Sequence, residues 1–301
     1  MDTIKKRIIL TPLNILYKIS PKLELELLFW MKQGYLQIVY FRHFKKFIDF
    51  DNPKTFNEKI QWIKLYDKNP LMPKCVDKYT VREYVKSKGC GDILNELLWE
   101  GFNPEDIPFD KLPNRFVIKV THGSTFNIIC KNKKKLNIPE AKEKLSKWLK
   151  EKFIPCYGEW FYGIEKPRII VEKYIESNGE LKDYKVFCFN GEPKIIGVYS
   201  NRFNGKLCQE LYDTSWNLID GHTNHYGLPD QLTEKPSNLD KMLEYSRKLS
   251  KDFKHVRVDF FNPNGNLIFG ETTFTSSAGF GKFSSKQLAE KMGKFLDIGE
   301  V

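Results

Sequence analysis

Residues 256–274 read VRVDFFNPNGNLIFGETTF, a stretch that leaves the chain few choices of fold. Val256, Val258 and Phe260 alternate with Arg257 and Asp259, the period of two that marks a strand with one apolar and one polar face. Asn262-Pro263-Asn264-Gly265 is strong turn chemistry. The segment beyond it predicts a second strand, with Leu267, Phe269, Glu271 and Thr273 on one face. If the register sets Asp259 opposite Glu271, Arg257 falls opposite Thr273. Two carboxylates, a hydroxyl and a guanidinium then converge. A surface cross-strand ion pair, worth ~0.2–1 kcal/mol, accounts for the arginine and one acid. It leaves the second acid unexplained, because neighbouring carboxylates repel strongly where water is scarce. A divalent cation accounts for both, since Mg²⁺ takes a few carboxylate oxygens, keeps waters and holds substrate phosphates. The hairpin alone does not choose between the two readings.

Elsewhere helices and strands mix without βα alternation, which predicts an α+β class. Residues 1–101 read as a mainly helical region, 102–175 as a lobe with a glycine loop, and 176–301 as a second lobe bearing the hairpin. Thr55, with Glu58 three residues on, has the pattern of a capping box, and Gly89 is placed to end a helix as its C′ residue. Strands are expected within 115–120, 126–130, 168–175, 183–191, 193–200 and 209–216. Helices are expected at about 138–152 and 238–250 and over 286–296.

A formal net charge of +11 favours anionic partners: nucleotides, acidic polysaccharide, a membrane surface or nucleic acid. No nucleic-acid-binding signature appears and the basic residues are spread along the chain, so nucleic acid is not expected. The cysteines at 75, 90, 130, 156, 188 and 208 show no CxxC and no metal spacing. Reduced, mostly buried thiols and a cytoplasmic protein fit best. The N-terminal apolar run is broken by Pro12 and Asn14, unlike a signal peptide, and no segment approaches the ~18 apolar residues of a spanning helix. The basic, aromatic first 50 residues leave peripheral membrane contact open.

Four more stretches carry chemistry. Lys78 opens a helix. Lys119 stands in an apolar strand before His122-Gly123-Ser124-Thr125, and glycine lets backbone N–H groups approach a phosphate closely. Glu172 ends an apolar strand followed by Lys173, Tyr174 and Ile175, which can face an adenine. Asp183 and Lys185 share a face, either pairing with each other or serving a ribose and a phosphate. Taken singly, each reads more readily as ordinary solvated or paired charge than as part of a site.

Their order is more telling. TFNEKIQWIKLYDKNPL, DKYTVREYV, KVTHGS…NIIC, KPRIIVEKYI, DYKVFCFNGEPK and the hairpin resemble, in sequence, the ATP-grasp superfamily and within it the TupA-like ATP-grasp family. The resemblance runs from about residue 53 to the end. It implies an ATP-grasp fold, two α+β lobes clamping ATP, with a mainly helical region where many members carry a Rossmann-like substrate domain. It implies ATP and Mg²⁺ as cofactors, and a carboxylate–amine ligase working through an acyl phosphate in a cell-surface polymer or capsule pathway. The carboxylate would belong to a uronic acid of a polysaccharide or its precursor, and the amine to an amino acid or amino alcohol. A kinase acting on a sugar hydroxyl would use the same nucleotide site.

Position by position, the resemblance gives Lys78 and Lys119 to the phosphates and His122, Gly123, Ser124 and Thr125 to a closing loop. Glu172 and the backbone of Lys173, Tyr174 and Ile175 go to adenine, and Asp183 to ribose. Asp259 and Glu271 go to Mg²⁺, with Thr273 where many members have Asn. Arg257 and Lys185 are the catalytic cations, and Ser276, Ser277 and Gly279 line the acceptor.

Overall fold

A computed structural model describes residues 23–152, 157–202, 205–224 and 226–299. Four helices lead: α1 (Leu23–Phe44), α2 (Phe56–Tyr66), α3 (Leu71–Val76) and α4 (Val81–Ser87). The capping box at α2 is present: the Glu58 carboxylate accepts from the Thr55 amide at 2.8 Å while the Thr55 hydroxyl accepts from the Glu58 amide. Gly89 follows α4 with φ +69, a left-handed conformation that suits glycine at a helix end. Among the described residues no helix is long and apolar enough to cross a membrane.

Two antiparallel sheets follow. The first orders its strands β1-β4-β2-β3, with β1 (Leu97–Gly101), β2 (Phe116–Val120), β3 (Asn127–Cys130) and β4 (Ile169–Lys173). Phe116, Ile118, Val120, Ile169 and Val171 turn inward and share a core with Leu145 of α5 (Ile138–Lys150). The strand β1, counted with the helical region in the sequence reading, belongs to this sheet. Every one of its residues is half-buried, so no alternation of inner and outer positions marks it.

The second sheet runs β7-β6-β5-β8-β9, from β5 (Asp183–Phe189), β6 (Glu192–Ser200), β7 (Cys208–Tyr212), β8 (His255–Phe261) and β9 (Ile268–Thr273). Val186, Ile196, Val198, Val256 and Val258 form its core with Met242 and Leu249 of α6 (Leu239–Ser250). Leu36, Ile60, Ile63, Met72 and Val85 of the leading helices, and Leu288 and Met292 of α7 (Lys286–Phe295), lie in this same core. The helical region is thus packed into the second lobe.

The hairpin has the expected register at its polar end: Arg257 faces Thr273 and Asp259 faces Glu271. Phe260 then pairs with Phe269, so Gly270 stands unpaired in a bulge. An extra residue shifts the alternation by one. Phe269 therefore lies buried beside Phe260, and the single face expected of Phe269, Glu271 and Thr273 does not exist. The five described cysteines are free and buried.

At the start of β8, His255 is fully buried against Phe56, Phe187 and Phe189. Its Nδ1 lies 2.8 Å from the Cys188 carbonyl, so the neutral ring donates there. Burial pushes its pKa down to about 3. The unfolded chain takes up a proton near pH 6.5 that the folded chain refuses, so stability falls as pH drops below that value, by about 2 kcal/mol at pH 5. Urea denaturation at pH 7 and pH 5 should show this loss, and His255→Gln should flatten it.

Candidate active site

The face of the second sheet turned away from α6 carries the charge. Lys185 on β5 stands opposite Asp259 on β8, and Phe187 opposite Arg257. The Arg257 guanidinium grips Asp259 as a fork, Nε to Oδ1 at 2.6 Å and Nη2 to Oδ2 at 2.7 Å. It also donates to the Thr273 hydroxyl at 3.0 Å and the Ser276 hydroxyl at 3.2 Å. Lys185 Nζ donates to the same Asp259 Oδ2. Burial alone would raise the Asp259 pKa, but Arg257 and Lys185 outweigh it and hold the carboxyl below its ordinary value. Glu271 touches Arg257 only at 3.5 Å and its side chain is 48% exposed. Of the two hairpin acids it is the less engaged within the protein; Asp259 would take a ligand only by sharing or exchanging its bonds to Arg257 and Lys185. Asp183 and Lys185 share this face without pairing: Asp183 bonds Arg202, which follows β6.

On the first sheet, Lys119 Nζ meets Glu172 Oε2 at 2.6 Å, and Arg82 of α4 meets Glu172 Oε1 at 3.2 Å. Glu172 thus sits between two cations, of which the sequence reading singled out only Lys119. The Lys173 amide and carbonyl are bonded to Glu96 and Asn95, just ahead of β1. The Tyr174 ring lies beside the Arg115 guanidinium, and Ile175 follows the strand.

The turn between α3 and α4 links the lobes. Lys78 Nζ donates to the Gly123 carbonyl at 2.8 Å and to Thr121 at 3.5 Å. Burial lowers its pKa and the like charge of Lys119 adds to this; the foremost charge opposing it is Glu271 of the hairpin, with Asp77 and Glu172 contributing less. Charges from both sheets therefore act on one ammonium. In the β2–β3 loop, Phe126 stacks on Trp148 of α5 at 5.3 Å and lies over Gly123. A Cβ at position 123 would fall 2.1 Å from the Phe126 ring, so only glycine fits. His122 bonds the Glu151 carbonyl at 2.8 Å, Ser124 is exposed, and Thr125 takes a φ of 67.

Beyond β9 the chain enters a turn in which Ser277, Ala278 and Gly279 all have positive φ, at 51, 51 and 70. Such conformations cost non-glycine residues of order 1–2 kcal/mol each. Helix α2 holds them. Asn57, Gln61 and Lys64 lie at spacings of four and three, hence on one helix face, and all are buried. Asn57 donates to the Gly281 carbonyl at 2.8 Å, Gln61 to Gly279 at 2.9 Å, and Lys64 to Ala278 at 2.9 Å and Tyr157 at 2.7 Å. A Cβ on Gly279 would come within 2.5 Å of Gln61 Nε2.

Between this turn and Arg257 lies a cavity of about 170 Å³, bordered by Lys185, Tyr199, Arg202, Asn224, Ser276 and Ser277. Gly279, expected at an acceptor site, packs against α2 instead. Tyr199, Arg202 and Asn224 were not singled out in the sequence, nor was the polar stripe of α2. The stripe left one signal, three polar residues at helical spacing inside NEKIQWIK. Among the described residues, no cluster of three or more His, Cys, Asp or Glu side chains forms.

Gln61→Leu keeps the bulk but strips buried carbonyls of their donor. It should lower stability by about 1–3 kcal/mol, read from the urea midpoint.

Residues 58–297 match the TupA-like ATPgrasp family. No curated protein sequence matches the chain. Among solved structures it is similar to D-alanine–D-alanine ligase from Bacillus anthracis complexed with ATP, at 17% identity and TM-score 0.40, covering 67% of this chain and 55% of that one. It is also similar to L-amino acid ligase from Bacillus licheniformis, at 14% identity and TM-score 0.44, covering 74% and 47%. A third is N5-carboxyaminoimidazole synthase from Aspergillus clavatus in complex with ADP and 5-aminoimadazole ribonucleotide, at 12% identity and TM-score 0.40, covering 71% and 46%. The match spans about half the length of these enzymes.

Proposed function

Because the chain belongs to the TupA-like ATP-grasp family, we propose that it is an ATP- and Mg²⁺-dependent carboxylate–amine ligase. The observation that carries the reading is one convergence. Arg257, Asp259, Glu271 and Lys185 share a sheet face beside a cavity, and Lys78 feels the Glu271 charge from the turn that meets the opposite lobe.

Lys78 and Lys119 hold the phosphates of ATP, each now bonded within the protein and so already oriented. The loop His122 to Thr125 closes over them and keeps water from an activated intermediate. Glu172 and the peptide groups of Tyr174 and Ile175 face the base, with Lys173 beside them holding its own amide and carbonyl on Glu96 and Asn95, and Asp183 faces the ribose. Two carboxylates and a hydroxyl side by side on β8 and β9 are hard oxygen donors of the kind Mg²⁺ accepts. Asp259, Glu271 and Thr273 would hold that ion, which when bound neutralises charge on the β- and γ-phosphates.

Arg257, between Asp259 and Ser276 at the cavity's edge, is placed for the oxygens of the transferring phosphoryl group, and Lys185 supports it. The γ-phosphoryl passes to a substrate carboxylate oxygen and ADP leaves. An amine nitrogen then attacks the acyl carbon, loses a proton and expels phosphate, giving an amide. The acid is a uronic acid of a surface polysaccharide or capsule precursor, and the amine an amino acid or amino alcohol. The net charge of +11 suits such an acid, and the five free thiols suit the cytoplasm.

A screen of uronic acids against amines with ATP and Mg²⁺ tests this by ADP release and mass spectrometry. An amide formed with amine-dependent ADP release is expected, and Asp259→Asn or Glu271→Gln should each cost ~10²-fold or more in rate. A phosphorylated sugar made without amine would replace the ligase by a kinase. Full activity in both variants would remove the hairpin from the chemistry.

A further inference from the structure

We infer that the cavity beside Arg257 takes the acid rather than the amine, as a polyhydroxylated ring bearing one carboxylate, and that Arg202 and Tyr226 select it. The assignment to the acid substrate rests on the ligase reading; the binding chemistry stands apart from it.

Charge comes first. Among the described residues, every charged side chain lining the cavity is a cation: Lys185, Arg202 and Arg257. Their partners, Asp183, Asp259 and Glu271, do not line it. The cationic ends of these ion pairs thus face the space while their carboxylates stand behind them, so an incoming carboxylate meets positive charge first. An ammonium group entering the same space would meet repulsion from all three.

Geometry then picks out Arg202. Lys185 and Arg257 both bind the buried Asp259, and their side chains are 13% and 12% exposed. Among the described residues Arg202 bonds one oxygen of Asp183, through Nη2, and its side chain is 46% exposed. It keeps donors of its planar fork for a second carboxylate, the geometry in which guanidinium binds such groups best.

The rest of the wall fits a ring with hydroxyls. Tyr199 and Tyr226 meet edge to face, 5.9 Å between centroids, and both line the cavity. Aromatic walls take the apolar face of a ring. Thr223, Asn224 and Ser277 lie alongside, with Asn224 Nδ2 donating to Ser277 Oγ at 3.1 Å. Hydroxyls and an amide that both donate and accept suit a ligand rich in hydroxyl groups.

Titration calorimetry with the intact chain tests the inference, using D-glucuronate, the neutral D-glucose and the cationic D-glucosamine, each with and without a non-hydrolysable ATP analogue. Glucuronate should bind at least about ten-fold more tightly than glucose, the worth of one charge-assisted contact, and glucosamine should not bind. Arg202→Gln should erase the preference for glucuronate over glucose. Tyr226→Leu should weaken both sugars while leaving the ATP analogue's affinity unchanged. Glucose binding as tightly as glucuronate, or an Arg202→Gln variant that keeps the preference, overturns the inference even if the ATP analogue binds. Arg202-dependent glucuronate binding without any ATP analogue binding supports the cavity assignment and removes the ligase reading.

Discussion

A carboxylate taken out of water and placed under two cations organises this molecule. Asp259 is almost wholly buried, and it survives ionised because Arg257 supplies a two-pronged bond and Lys185 a third contact. Desolvating such ions costs several kcal/mol each, and removing one partner of a buried group of this kind typically costs about 3–5 kcal/mol. The arrangement is therefore an inefficient way to hold strands together. What it achieves is position: the guanidinium is locked by Asp259, Thr273 and Ser276 at once. Charge fixed in place before a reaction has no reorganisation left to do when negative charge develops.

The support for that guanidinium comes from far away in sequence. Ser276 opens a turn with three successive left-handed residues, held by buried donors on α2. The leading helices thus act on the site through backbone carbonyls. Lys78 plays a comparable part between lobes, since its carbonyl partners sit in the β2–β3 loop while its neighbouring helix packs on β9 through Thr272 and the Cys75 carbonyl.

Much of this was legible in the sequence where period and turn chemistry are local. The hairpin itself, the capping box at Thr55 and the C′ glycine at 89 all follow from short-range rules. Partnerships across the sheets were not. Lys185 finds Asp259 because β5 and β8 are neighbours, and Asp183 finds Arg202 because the chain turns back after β6; strand order is invisible to periodicity. The stripe Asn57, Gln61 and Lys64 looks like the wet side of an amphipathic helix until the 277–281 turn is laid over it. The bulge at Gly270 hid for a related reason, since one unpaired residue reverses inside and outside beyond it.

The shared core of the leading helices and the second sheet has a consequence for how the chain is born. Residues 97–173 form a self-contained sheet whose strands pair within that span. They interrupt the other lobe, which starts before them and is completed after them. On the ribosome the inserted lobe can close early, whereas α2 must wait with an apolar flank uncovered until β8 and α7 emerge. The host is the last part to mature, and its oldest helices are the ones kept longest without a partner.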